Sequence, residues 1–312
     1  MRGLPLSVVV LLAMLLAGCR SGAAGEPTPS STTQQPSSST LAQPMTTLPP
    51  VTSTVATTTT SPTTTATTPP LPAVTCSVSD TGTDDDFYRR TCSQDGIDIL
   101  ASGDVDGAAL DAAAERMANL LAERRDLADA VAASVERVVI IGRDERITDL
   151  PEFADLYKLH PGTDWNRRGR SFPGTEVVPV AAGAEENLLC LDADRYAGED
   201  MFIHDFAWTL RRFGIAAIDL PLDRAIEDAY GRAIAAGLWQ NTLAEVNSDE
   251  YWAEGAQSFF DANGEASDDK DQVHNDVNTR EELHAYDPLL FELLASVFGD
   301  GTWRPACPGG TG

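Results

Sequence analysis

One segment of the chain combines residue types at a spacing that could do chemistry: Ile203-His204-Asp205-Phe206-Ala207-Trp208-Thr209-Leu210. A second segment, Glu250-Tyr251-Trp252-Ala253-Glu254-Gly255, adds two carboxylates one helical turn apart. An imidazole on one helix and a carboxylate on another are two parts of a zinc-hydrolase centre. Such a centre places two histidines four apart, so both face one way, and takes a third ligand from elsewhere. The fourth position holds a water whose pKa falls to about 7, and a neighbouring carboxylate takes its proton.

Two positions depart from that requirement. Trp208 stands where the second histidine belongs, and its indole N–H only donates, so it cannot ligate a cation. Asp205 stands where a glutamate base belongs. It is one methylene shorter, which retracts its oxygens by roughly 1.5 Å and costs about a hundredfold or more in a positioned reaction. His204 and Glu250 remain as ligands, one short of the three protein groups of a catalytic zinc site. The chain has 4 histidines. Of the others, His160, His274 and His284, none is at helical spacing from His204, and His274, in an acidic stretch, is the best substitute.

These residues must be carried by helices. Glu199 to Arg212 is expected as the motif helix, stopped by Gly214. Pro221 to Leu238 follows as a helix, and Ser248 caps a third with Glu250, Trp252, Glu254 and Phe259 on it. Thr279-Arg280-Glu281-Glu282 is a capping box opening a last helix to about Phe298, bent or restarted at Pro288. Between them, Asp261 to Asp276 is a polar loop, and its Asp261-Ala262-Asn263-Gly264 fails the EF-hand spacing. Earlier in the chain, Ile97 to Ala101 alternates as a strand. An Ala-rich helix then runs from Asp104 or Asp106 to about Leu121, and a second covers Asp126 to Ser134. Val138 to Ile141 reads as a buried strand. Pro151 to Thr175 is loop-rich, and its Arg167-Arg168-Gly169-Arg170 cluster should pair internally with acids. Glu176 to Val180 and Asn187 to Leu191 are short strand candidates. The fold class that results is α+β, a small sheet plus a mostly helical C-terminal half.

Taken together, Asn187 to Leu191, Asp194 to Asp200, the 203–214 helix and Glu250 to Phe260 resemble a family of secreted metallopeptidase-like proteins. These are akin to the anthrax lethal factor-type, or gluzincin, zinc peptidases. The likeness extends over most of Ile97 to Pro308, including Ile147-Thr148-Asp149-Leu150-Pro151-Glu152. It implies a gluzincin metallopeptidase-like fold, with His204 and Glu250 as the equivalents of zinc ligands. Glu254 corresponds to a carboxylate that orients a ligand histidine. Members often carry an oxyanion-stabilising tyrosine about seven residues before the ligand glutamate; that position here is Leu243. Base, ligand and oxyanion helper are thus all altered, which favours a degenerate domain with vestigial His204, Asp205, Trp208, Glu250 and Glu254. No metal or other cofactor is then expected. The alternative is an active zinc enzyme using His204, Glu250 and His274.

The rest of the sequence speaks to location. Arg2 precedes an apolar stretch, Leu4 to Ala17, too short to span a bilayer comfortably. Leu16-Ala17-Gly18-Cys19 resembles a bacterial lipobox, making residues 1–19 a lipoprotein signal peptide with Cys19 acylated. An ordinary secretory leader with an incidental cysteine would export the protein equally. Residues 20–75 form a Thr/Ser/Pro-rich stalk, expected to be disordered because it cannot bury enough apolar surface to offset ordering entropy. Stretched as polyproline, about 50 such residues reach roughly 150 Å. Residues 76–312 form the metallopeptidase-like domain. The net charge of −26 excludes nucleic acid as a partner. A lipid-anchored place on the outer face of the bacterial membrane, with a protein or cell-wall partner, is the expected setting. Four cysteines in the domain suggest two disulfides, with Cys76–Cys92 and Cys190–Cys307 favoured among three connectivities.

Overall fold

Two successive strands near the start of the domain set its sheet. The computed structural model describes residues 74–80, 87–266, 272–300 and 302–306. Strand β1 (Arg90–Gln94) turns through Asp95 and Gly96, both at positive φ, into β2 (Ile97–Ala101) as an antiparallel pair. β3 (Arg137–Ile141) and β4 (Val180–Ala184) then add in parallel, giving the order β1-β2-β3-β4. The crossover from β2 to β3 carries helices α1 (Gly107–Leu120) and α2 (Arg125–Ser134). The expected small sheet is therefore present, and the molecule is α+β.

The two-residue period of β3 divides the interior. Val138 and Ile140 face one core with Leu110, Met117, Phe202, Phe206 and Trp252. Val139 and Ile141 face a second, with Ile147, Leu150, Phe153 and Trp165. A strand buried on both faces must be apolar throughout, which is why 138–141 reads as an unbroken Val/Ile run. The loop-rich segment after β3 covers the second face and holds only short turns: 3-10 turns at Ile147–Asp149 and Pro151–Phe153, and single helical turns at Leu156–Leu159 and Trp165–Arg168.

The C-terminal half is helical. α3 (Met201–Thr209) carries the motif, α4 (Leu220–Ala235) follows, and α5 (Ser248–Phe259) lies against α3. α6 (Arg280–Tyr286) and α7 (Pro288–Phe298) close the domain. The capping box at Thr279 and Glu282 is formed, and the chain restarts at Pro288 with Asp287 as cap. Close approach of these layers depends on two glycines. A Cβ at Gly183 would lie 2.7 Å from the Phe202 ring, and one at Gly255 would lie 2.5 Å from Leu290.

Several expectations need correction. Only Val180 of the 176–180 candidate is in a strand. Thr175 and Val178 close a turn through a 2.8 Å backbone hydrogen bond, and pairing with β3 and Phe172 begins beyond it. Asn187 to Leu191 is not a strand either. Glu185–Leu188 is a helical turn. Its buried Glu185 is held by Arg143 and the Asp106 N–H, and its Glu186 by Arg170. Gly214 does not stop the motif helix, which continues as a π-helical turn over Leu210–Ile215. There Gly214 packs on Leu210, Val131 and Leu127. Asn247, rather than Ser248, caps α5, accepting from the N–H groups of Asp249 and Glu250.

The Cys76–Cys92 disulfide joins residues 16 apart as expected. Cys190 is disulfide-bonded as well, and its favoured partner Cys307 lies outside the described residues. Cys19, the signal peptide and nearly all of the 20–75 stalk also lie outside them. No helix among the described residues is long and apolar enough to cross a membrane.

Candidate functional site on α3 and α5

The start of α3 is fixed before any site residue is reached. Asp200 caps the helix by accepting from the Ile203 N–H at 3.0 Å, and its other oxygen receives the Arg116 Nε at 2.5 Å. Both side chains are buried, at 1% and 2% exposure, so the pair is one cation to one anion away from water. Gln257 on α5 donates to the Asp200 carbonyl, which fixes the two helices relative to each other. At the far end of the motif, Thr209 donates to the Asp205 carbonyl, and the Gly174 N–H donates to Thr209.

The second helix is tied down through Arg211 on the π-turn. Its guanidinium is buried and reaches Asp249 at 2.8 Å and Glu227 at 2.6 Å. Ser248 donates to the same Glu227 oxygen. A π-turn directly after the motif thus swings Arg211 toward the α5 N-terminus, next to Glu250.

With both helices held, His204, Asp205, Glu250 and Glu254 come together. His204 is 4% exposed. Its Nδ1 lies 3.1 Å from Asp205 Oδ1, and its Nε2 lies 3.4 Å from Glu250 Oε2 and 3.5 Å from Glu254 Oε1. Nε2 is within ion-pair range of both carboxylates but makes an aligned hydrogen bond to neither. Burial works against a charged ring here. The bond to Asp205 and the Glu250 carboxylate outweigh it and hold the His204 pKa well above its ordinary 6.5. Burial pushes Glu254 up to about 7, against the pull of His204 and His274, and Glu199 adds to the rise.

Trp208 lies one turn after His204, 2% exposed, with no acceptor for its buried N–H. The Arg212 guanidinium lies 5.7 Å from its ring centre, a cation–π distance. His274 does not replace the missing nitrogen by turning toward Glu250; its Nε2 pairs with Glu199 Oε2 at 3.0 Å. His160 packs at a tilt beside Trp165, and His284 packs at a tilt against Phe291. Leu243 begins a short 3-10 turn, its N–H bonded to the Val273 carbonyl.

The sequence had pointed to neither Asn263 nor Glu199 as neighbours of this cluster. Asn263 donates to Glu254 Oε2 at 3.2 Å, and Glu199 links the cluster to His274. The only hint was the Asn263-Gly264 turn, which is equally common in plain loops. Arg170, from the expected internally paired cluster, does pair with buried Glu186.

These residues do not complete the two-histidine pattern of a catalytic zinc site. A catalytic site needs a third protein ligand. The position one turn from His204 offers an indole, and the nearest remaining histidine is committed to Glu199. Among the described residues no group of three or more His, Cys, Asp and Glu side chains is arranged to hold a metal. What the arrangement can do is hold a proton. An imidazole with both nitrogens facing carboxylates is the positive group in an acidic, dry pocket.

No protein-family model matches the chain, and no curated protein or solved structure is significantly similar to it.

Proposed function

We propose that this chain is a lipid-anchored, extracytoplasmic protein whose domain is a gluzincin-like metallopeptidase relic. Its role is to bind a partner or to act as a structural module rather than to hydrolyse peptides. One observation carries this reading: the buried Trp208 indole at the position where a second zinc-binding nitrogen would have to stand. The facing of both His204 nitrogens onto carboxylates supports it further. Leu243 in place of an oxyanion-stabilising phenol agrees with the same reading.

Metal analysis of the full-length protein, purified without chelators or added metal, tests the proposal. The expected result is far less than one zinc per chain, with no peptidase activity. Near-stoichiometric zinc that disappears in His204→Ala would overturn it in favour of an active zinc peptidase. That second reading has one observation on its side: Nε2 of His204 is buried without an aligned acceptor and looks between Glu250 and Glu254. Peptidase activity without any metal would overturn both.

A further inference from the structure

A cavity of about 510 Å³ opens where the end of α5 meets α6, α7 and the last described residues. It shares no residue with the His204 cluster. Arg280, Arg304, Asp261, Glu281, His284 and Phe291 line it. In a chain of net charge −26, this cavity places two guanidiniums on one wall.

Arg304 is ion-paired with Asp261, so Arg280 is the guanidinium without a close carboxylate partner. Asp261 has both oxygens engaged already, one by the Arg304 Nε and the other by the Arg280 backbone N–H at 2.6 Å. The Arg280 side-chain contacts are all long. Nη1 reaches the Phe259 carbonyl and Nη2 the Gly299 carbonyl, each at 3.5 Å, and Asp300 stands 3.6 Å away with 96% of its side chain exposed. These lie at or beyond the outer limit of a useful hydrogen bond. Burial lowers the Arg280 pKa, and the neighbouring Arg304 adds to that effect. The guanidinium lies against two aromatic rings, 3.6 Å from the Phe259 ring centre and 5.1 Å from that of Phe291. His284 continues the aromatic wall, with its ring 4.4 Å from Phe291.

We propose that this cavity is a binding site for a small organic carboxylate carried on a flat apolar ring. The carboxylate would take the outward N–H groups of Arg280 and Arg304, and the ring would lie against Phe291 and His284. A guanidinium presents a fork that matches a planar carboxylate. The volume is in the range of small-molecule sites. A bare inorganic anion would leave the aromatic wall unused. This site stands whether or not the zinc reading is correct.

Benzoate is the probe, titrated into the full-length protein by calorimetry, with inorganic phosphate and benzyl alcohol as comparison probes. Saturable benzoate binding is expected, weakened about tenfold or more by Arg304→Met, as loss of one charge-assisted contact implies. Arg280→Met should do the same while keeping an apolar stem over Phe259. Glu281→Gln, which removes a carboxylate from the lining, should tighten binding severalfold, an outcome no folding defect could mimic. Absence of saturable benzoate binding would overturn the proposal, as would equal affinity in Arg304→Met. Phosphate binding as tightly as benzoate would overturn the aromatic half, and benzyl alcohol binding as tightly would overturn the carboxylate half.

Discussion

One turn of α3 separates two buried ionic groups built on opposite plans. At Asp200 a single carboxylate meets a single guanidinium, Arg116, and also caps the helix. At His204 a single imidazole meets three carboxylates, Asp205, Glu250 and Glu254. The first arrangement is what folding needs, because a buried charge without a partner costs several kcal/mol. The second sets three carboxylates around one imidazole, and burial, with Glu199 adding to it, raises Glu254 to about 7. A surplus of acid around one imidazole is hard to explain by stability alone.

The largest effect should follow from breaking the balanced pair. Arg116→Met leaves the Asp200 carboxylate buried and unpaired and should cost about 3–5 kcal/mol, read by urea unfolding. A loss below about 1 kcal/mol would erase the distinction between the two groups.

Next comes the pH dependence of the unbalanced group. The folded pKa of Glu254 is about 7 against an ordinary 4.5, so its contribution is full below 4.5 and is lost as pH rises through 7. A difference of that size corresponds to about 3 kcal/mol. His204, also raised, loses its contribution in the same direction, above 6.5 and through its folded value. Stability should therefore fall from pH 4.5 to pH 7 and beyond. Glu254→Gln should flatten the fall between 4.5 and 7, measured by unfolding at a series of pH values. An unchanged slope in that variant would show that the surplus charge is relieved elsewhere.

A smaller gain is expected from restoring the missing parts. Trp208→His with Asp205→Glu should create zinc-dependent stabilisation of about 2–3 kcal/mol at a hundredfold excess over Kd. The unaltered chain should show no melting shift with zinc. If the double variant also ignores zinc, the groove itself has closed.

The smallest effect should come from an exposed pair. Lys158 and Asp155 are 78% and 63% exposed, and Lys158→Gln should shift stability by less than about 0.5 kcal/mol. A larger change would mean that exposure is not what separates these ion pairs.

Much of the helical half was legible because its signals are local. The Thr279–Glu282 capping box, the restart at Pro288 and the spacing of Glu250 and Glu254 each lie within one turn. The strand at 138–141 was legible because a strand covered on both faces has to be apolar throughout. β4 was misplaced because Val180-Ala181-Ala182-Gly183-Ala184 has little strand character of its own. It is a strand because β3 and Phe172 supply its hydrogen bonds and Gly183 makes room for Phe202. The turn at Glu185–Leu188 was misread because its buried acids are held by arginines 42 and 16 residues away.

By itself, then, the sequence determined the helices and the indole at 208, and favoured the pairing of Cys76 with Cys92 as the short-loop choice. Those depend on residue identity and on spacing within a few positions of the chain. Only the tertiary structure decided what His204 faces. Glu250, Glu254 and, through Glu254, Asn263 come from other segments, and His274 is drawn away to Glu199. Helical periodicity places a side chain on a face. The helix packed across from that face determines its partners, and through burial its charge.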